Sequence, residues 1–166
     1  MKGHQIVLKG VFILTALLFI LAFGAFIYIR MQEPKPVDAD FSEIRRALEE
    51  AELTARFEDG NELRVKNAFG LLTSDYEEFL YLYPSYYLDV EEILLVRLPE
   101  GAKAETVRNA MEERLTRQKN TFENYGTDQF STLQNTVIYD NGTYALYSAG
   151  HEASECARLI RGMIER

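Results

Sequence analysis

The chain has 166 residues, 26 acidic and 18 basic, for a formal net charge of −8. That size allows one domain with a full core behind an N-terminal extension and excludes two ordinary domains. The acidic balance argues against binding of nucleic acid or anionic lipid by counterion release, and a single cysteine, Cys156, excludes an intramolecular disulfide.

The chain opens with a short polar tail, residues 1–10, carrying Lys2, His4 and Lys9. Val11 to Ile29 follows, 19 residues without one charged side chain, 13 of them Leu, Ile, Val or Phe. As a helix it would reach roughly 28 Å, near the thickness of a bilayer's hydrocarbon core. Its apolar residues favour insertion by on the order of −4 to −8 kcal/mol. Lys2, Lys9 and the terminal amine precede the run, whereas Arg30 and Lys35 follow it, so the basic flanks favour a cytoplasmic N-terminus. The expectation is a single-pass anchor in the cell membrane with the remainder extracytoplasmic. The alternative is a cleaved secretory signal, for which Ala22-Phe23-Gly24 offers a small-x-small site. No cysteine stands at the end of the run to serve a lipid anchor.

Residues 30–40 read as a tether, with Pro34 and Pro36 holding their neighbours extended. The part beyond Arg30 has 15 basic residues against all 26 acidic ones, a net of −11, and residues 41–166 form the outer domain. Phe41, Ile44, Leu48 and Ala51 share one helix face, with Asp40 as the N-cap. Ala55 to Phe57 has the composition of a short strand, Asp59-Gly60-Asn61 of a turn, and Glu62 to Gly70 of a short helix stopped by glycine. Tyr76 to Tyr83 and Glu92 to Leu98 are strands, the first stopped by Pro84. Ala104 to Tyr125 is the strongest helix, with a stripe of Ala104, Val107, Met111, Leu115, Phe122 and Tyr125 in which Gln118 fills one polar position. Gly126 is its expected stop. Thr136–Asp140 and Thr143–Ser148 flank Asn141-Gly142, the signal of a type I′ hairpin. A last helix spans about Glu152 to Glu165. The predicted fold is α+β, with an N-terminal transmembrane helix and a small domain. That domain has a mainly antiparallel sheet of about four strands packed by helices on one face.

Several segments carry a resemblance. They are Asp89-Val90-Glu91-Glu92-Ile93, then Glu112-Glu113-Arg114-Leu115 with Gln118-Lys119 and Phe122-Glu123-Asn124-Tyr125. Leu133-Gln134-Asn135-Thr136-Val137-Ile138 and Asn141-Gly142-Thr143-Tyr144 complete the set. In this order and spacing they resemble a bacterial family, domain of unknown function 4358, over about Tyr76 to Ile164. The resemblance implies an exported, membrane-attached protein. It supplies neither an activity nor catalytic residues, and the lipobox cysteine of many members is absent here.

No motif names a chemistry. Ser148-Ala149-Gly150-His151-Glu152 brings a hydroxyl, an imidazole and a carboxylate to a helix start, the ingredients of a hydrolase-like site; turning and capping explain the same residues. No metal-ligand spacing occurs, no cofactor is implied, and the pairs Glu49-Glu50, Glu77-Glu78, Glu91-Glu92 and Glu112-Glu113 read as solvated faces. Cys156 lies on an apolar stripe as a small buried hydrophobe. The tyrosines stand out. Tyr76, Tyr81, Tyr83, Tyr86 and Tyr87 fall within 12 positions around Pro84. A ring with a polar tip suits interfaces and sugar-like ligands. Tyr81, Tyr83, Tyr86 and Tyr87 are therefore the candidate binding residues. The expected function is a non-catalytic binding module of the cell envelope, with the bilayer and an envelope protein or cell-wall component as partners. A small enzyme using His151 and a structural subunit of a membrane complex are the alternatives.

Overall fold

The computed structural model describes residues 15–28 and 37–165. The chain divides into two units, residues 1–35 and 36–166. Within the first, residues 15–28 form a helix (α1) whose side chains are all exposed, among them Leu17, Phe19, Ile20, Phe23 and Phe26. Among the described residues, no helix is long and apolar enough to cross a membrane. The predicted tail at 1–10, the ends of the predicted span at 11–14 and 29, and residues 30–36 of the predicted tether lie outside the described residues.

In the second unit, five strands form one sheet in the order β1-β2-β3-β5-β4, every pairing antiparallel. They are β1 (Phe57–Asp59), β2 (Glu78–Pro84), β3 (Glu92–Arg97), β4 (Val137–Asp140) and β5 (Tyr144–Ala149). Helices α3 (Glu62–Phe69), α4 (Ala104–Phe122) and α5 (Thr127–Leu133) supply one apolar cluster, in which Phe69, Val107, Met111 and Leu133 meet Tyr81, Leu94, Val96 and Tyr147. Helices α2 (Phe41–Glu50) and α6 (Ala153–Ile164) supply the other, in which Ile44, Leu48 and Ile160 meet Leu82, Ile93, Leu95 and Leu146. Alternate residues of β2, β3, β4 and β5 enter opposite clusters, as the two-residue period of a strand requires.

The sheet is therefore covered on both faces, not on one. This explains why β3 and β5 read as continuous apolar runs: a strand buried on both sides loses the polar alternation of a half-exposed one. The fifth strand is β1, three residues at the sheet edge, where Phe57 pairs with Pro84 and Asp59 with Leu82. Its pattern falls below what periodicity resolves, and it begins where the predicted strand at Ala55–Phe57 ends.

Two glycines act otherwise than predicted. At the β4–β5 hairpin only Gly142 has a positive φ, +85°, which excludes the type I′ turn expected for Asn141-Gly142. Asn141 contributes its side chain instead: Oδ1 accepts the backbone N–H groups of Thr143 at 3.1 Å and Tyr144 at 2.8 Å. Gly126 has φ −121° and caps the start of α5. It is there for space, since a Cβ would lie 2.5 Å from the Phe122 ring. Helix α4 accordingly ends at Phe122, three residues short of the predicted Tyr125. By contrast Gly70 closes α3 as predicted, with φ +73°.

Where the chain enters this domain, Tyr144 clamps it. Its hydroxyl donates to the Val37 carbonyl at 2.8 Å and accepts from the Ala39 N–H at 3.0 Å. Val37 N–H donates to the Ile164 carbonyl at 3.1 Å, and Asp38 pairs with Arg97. The last part of the predicted tether, Val37–Asp40, thus belongs to the fold. Its attachment lies at the end of the sheet where Glu78, Arg97 and Tyr144 are register partners.

Candidate functional site

At the opposite end of the same strands, β2 stops at Pro84, and the chain returns to β3 through Ser85–Glu91. That connection is pinned. Ser85 donates both its N–H and its hydroxyl to the Arg56 carbonyl, each at 3.1 Å. Asp89 donates its N–H to the Tyr86 carbonyl at 3.0 Å, and its Oδ1 accepts from the Val90 N–H at 2.8 Å. Short polar side chains bonding to nearby backbone hold such turns. The backbone under Tyr86 and Tyr87 is therefore fixed, while the side chains are 59% and 82% exposed. Their rings lean on each other at 5.1 Å between centroids.

This connection forms one wall of an open cleft of about 610 Å³. Helix α3 forms the facing wall with Arg64, Asn67 and Ala68, and α4 reaches the base with Arg114 and Gln118. Tyr83 lies between the walls. Its hydroxyl donates to Glu58 Oε2 at 2.5 Å, and the Arg64 guanidinium lies 3.9 Å above its ring. That bond to Glu58, with a smaller contribution from burial, raises the Tyr83 hydroxyl above its ordinary pKa.

A polar network closes the base. The buried Tyr81 hydroxyl donates to Glu92 Oε2 at 2.7 Å, and Arg114 clasps the same carboxylate through Nε at 2.9 Å and a terminal nitrogen at 3.3 Å. Beside it, the Tyr147 hydroxyl donates to Gln118 Oε1 at 2.8 Å. Burial, then the Glu92 charge, pushes both Tyr81 and Tyr147 well above the usual phenol range. Both rings meet Phe69 edge-on, at 5.6 and 5.3 Å. Burial works most strongly against the Arg114 charge, but the Glu92 charge and hydrogen bonds, with Tyr81 and Tyr147, together outweigh it and raise the guanidinium's pKa. The base is thus preorganised: the Tyr81 and Tyr147 hydroxyls and both Glu92 oxygens have partners, and a carboxylate held by a bidentate guanidinium has little freedom to turn. Gly60 completes this packing. Its N–H donates to the Tyr81 carbonyl at 2.7 Å, and a Cβ there would stand 2.2 Å from the Tyr81 ring.

All four predicted tyrosines line this cleft, in different roles. Tyr86 and Tyr87 are surface rings, Tyr83 is half-buried between the walls, and Tyr81 is a core residue at 4% exposure. Tyr76 packs at the edge of the apolar cluster instead. The prediction missed Arg64, Glu92 and Arg114. Two of these had a signal in the sequence. Glu92 directly opens the apolar run Ile93–Val96, and Arg114 falls on the α4 stripe between Met111 and Gln118.

The pair Glu91-Glu92 is not a solvated face as expected: the two residues are 5% and 1% exposed. Successive residues of the strand point to opposite sides of the sheet. Glu91 therefore goes the other way, accepting from Arg56 at 2.8 Å and from the His151 N–H at 3.0 Å.

The groups of Ser148–Glu152 do not converge. The Ser148 hydroxyl is fully buried and donates to the Ala153 carbonyl at 3.1 Å. Exposed His151 has Nε2 3.3 Å from the Thr132 hydroxyl, which already donates to the Asp128 carbonyl at 2.9 Å. The imidazole thus meets a hydroxyl whose proton is engaged elsewhere, which is not the geometry of an activated nucleophile. Cys156 is buried, and burial raises its thiol to about 11, so thiolate chemistry is disfavoured there. Among the described residues, no cluster of three or more His, Cys, Asp or Glu is arranged to hold a metal ion.

The family model described as "Domain of unknown function (DUF4358)" matches residues 49–150, which span β1 to β5, the cleft and its base. No curated protein and no solved structure matches the chain.

Proposed function

The chain belongs to the domain of unknown function 4358 family, and from that premise we propose that it is a non-catalytic binding module of the bacterial cell envelope. The tyrosine cleft is its ligand-binding surface, and the N-terminal segment holds it at the cell membrane with the domain outside. One observation carries the binding reading. Two largely exposed tyrosines stand on a hydrogen-bonded connection above a base whose polar groups are already paired. Exposed rings on a fixed backbone bind at low conformational cost, which is how tyrosine serves recognition surfaces.

The anchor rests on the 19-residue charge-free run, on the exposed apolar side chains of helix α1, and on the basic residues ahead of it. The chain enters the domain beside Arg97 and Tyr144, whereas the cleft lies past Glu92, one strand length away, about 17–20 Å at ordinary strand rise.

The test uses the full chain in cells. Reporter fusions placed after Asp40 should be active for an extracytoplasmic reporter and silent for a cytoplasmic one. The combined variant Tyr83→Ser, Tyr86→Ser, Tyr87→Ser should keep its cellular level and melting behaviour while losing the crosslinked species seen with the parent chain. The opposite reporter pattern refutes the topology. Unchanged crosslinking in the folded triple variant refutes the binding surface.

A further inference from the structure

Of the ten arginines among the described residues, nine hold a carboxylate within ion-pair distance: Arg45, Arg46, Arg56, Arg97, Arg108, Arg114, Arg117, Arg158 and Arg161. Arg64 has none. In a chain with 26 acidic against 18 basic residues, a guanidinium without a carboxylate is the exception. This one lies in the tyrosine cleft, on the face of Tyr83 at 3.9 Å. The stacking holds the planar group in place and leaves its N–H fork available for a planar oxyanion. Asn67, one helical turn on, lines the same wall with an amide that both donates and accepts.

The other lining groups narrow the ligand further. Tyr86 and Tyr87 offer exposed faces for stacking a ring that carries C–H groups. The carboxylates of Glu58 and Asp89 also line the cleft and accept hydrogen bonds from hydroxyl groups. They oppose a ligand with several negative charges, such as a polyphosphate or a nucleic acid. A volume of about 610 Å³ fits a ligand of a few rings.

We infer that the cleft binds an acidic saccharide: a short glycan whose single carboxylate is taken by the Arg64 guanidinium, whose sugar ring stacks on Tyr86 or Tyr87, and whose hydroxyls donate to Glu58 and Asp89. This rests on the reading of the cleft as a binding surface and adds the ligand's charge and class.

The test compares an acid trimer, a trisaccharide with one terminal glucuronic acid and hence a single carboxylate, with its methyl ester by saturation-transfer NMR and titration, using the full chain in mild detergent. Inorganic phosphate is the third probe. The acid trimer should bind at least about tenfold more tightly than the ester, and added salt should narrow that gap. R64Q, at an exposed position, should bring acid and ester within about twofold of each other, with R64K intermediate. Tyr87→Ser should weaken both forms in equal proportion. Equal binding of acid and ester by the parent chain overturns the inference without any variant. So does discrimination that survives R64Q, a stronger response to phosphate than to the acid trimer, or no saccharide binding at all. The binding-surface reading is judged separately by the triple tyrosine variant in cells, so each fails on its own result.

Discussion

The two faces of the sheet are built to different plans. On the α2/α6 side the interior is aliphatic, with Ile44, Leu48, Ile93, Leu95, Leu146 and Ile160 at 0–1% exposure. Its buried polar groups hold chain segments in place: the Tyr144 hydroxyl fastens the entering chain, and Glu91 accepts from Arg56 and the His151 N–H. On the α3/α4/α5 side the core is aliphatic near Val96 and Val107. Toward the other end it turns into the Tyr81–Glu92–Arg114 network and opens at the cleft. A core that needed only stability would gain nothing from a carboxylate at its centre strand, since buried ion pairs are often matched by apolar residues of the same volume. On the proposed reading, the closed face serves stability and attachment, and the open face recognition.

Substitutions separate the two. The largest loss of stability should come from the closed face: Ile160→Ala removes a fully buried side chain and should cost about 2–5 kcal/mol in denaturant unfolding. A loss under about 1 kcal/mol would show a looser interior than the contacts indicate. On the open face, Glu92→Gln leaves the half-buried Arg114 without its counter-charge and should cost about 2–4 kcal/mol, below the full figure for a deeply buried pair because Arg114 reaches solvent. Glu92→Gln combined with Arg114→Met should recover part of that loss, and the double-mutant cycle measures the coupling. Tyr144→Phe removes both clamp bonds and should cost about 1–2 kcal/mol. Faster amide exchange should then appear at Ala39, with exchange in the cleft unchanged.

The smallest effects test the surface. Tyr87→Ser, at 82% exposure, should change stability by no more than about 0.5 kcal/mol, so any functional loss reflects recognition. Glu52 holds φ +59° just after α2. Glu52→Gly there should raise stability by a few tenths to about 1 kcal/mol, as glycine adopts this conformation without a Cβ penalty. No gain would show that the Glu52 side chain contributes to the turn.

Much of this was legible in the sequence, for physical reasons that differ by element. Helix α6 was read from its Ala153, Cys156, Ala157, Ile160 and Ile164 face, and α3 from its closing Gly70, because periodicity and a left-handed cap are local signals. Helix α5 was not. Its sequence, Thr127–Leu133, has two large apolar residues, and its place is set by packing on α4. The second helical layer was missed for a related reason: continuous apolar strands announce burial on both faces but not which helix covers which. For the cleft, the tyrosine cluster around Pro84 gave four lining residues. Arg64 stayed invisible because nothing in Glu62–Phe69 distinguishes a guanidinium stacked on a distant ring from one paired with a neighbouring carboxylate.

The most direct measurement places a photo-crosslinking amino acid in the full chain in cells, at Tyr87 on the open face and, in parallel, at Arg158 on α6. Arg158 is also exposed, with a side chain at 72%. A defined adduct at position 87 that disappears with Tyr83→Ser and R64Q, and is absent at position 158, is the predicted result. Adducts of equal yield at both positions, or at position 158 alone, would contradict the assignment of recognition to the cleft.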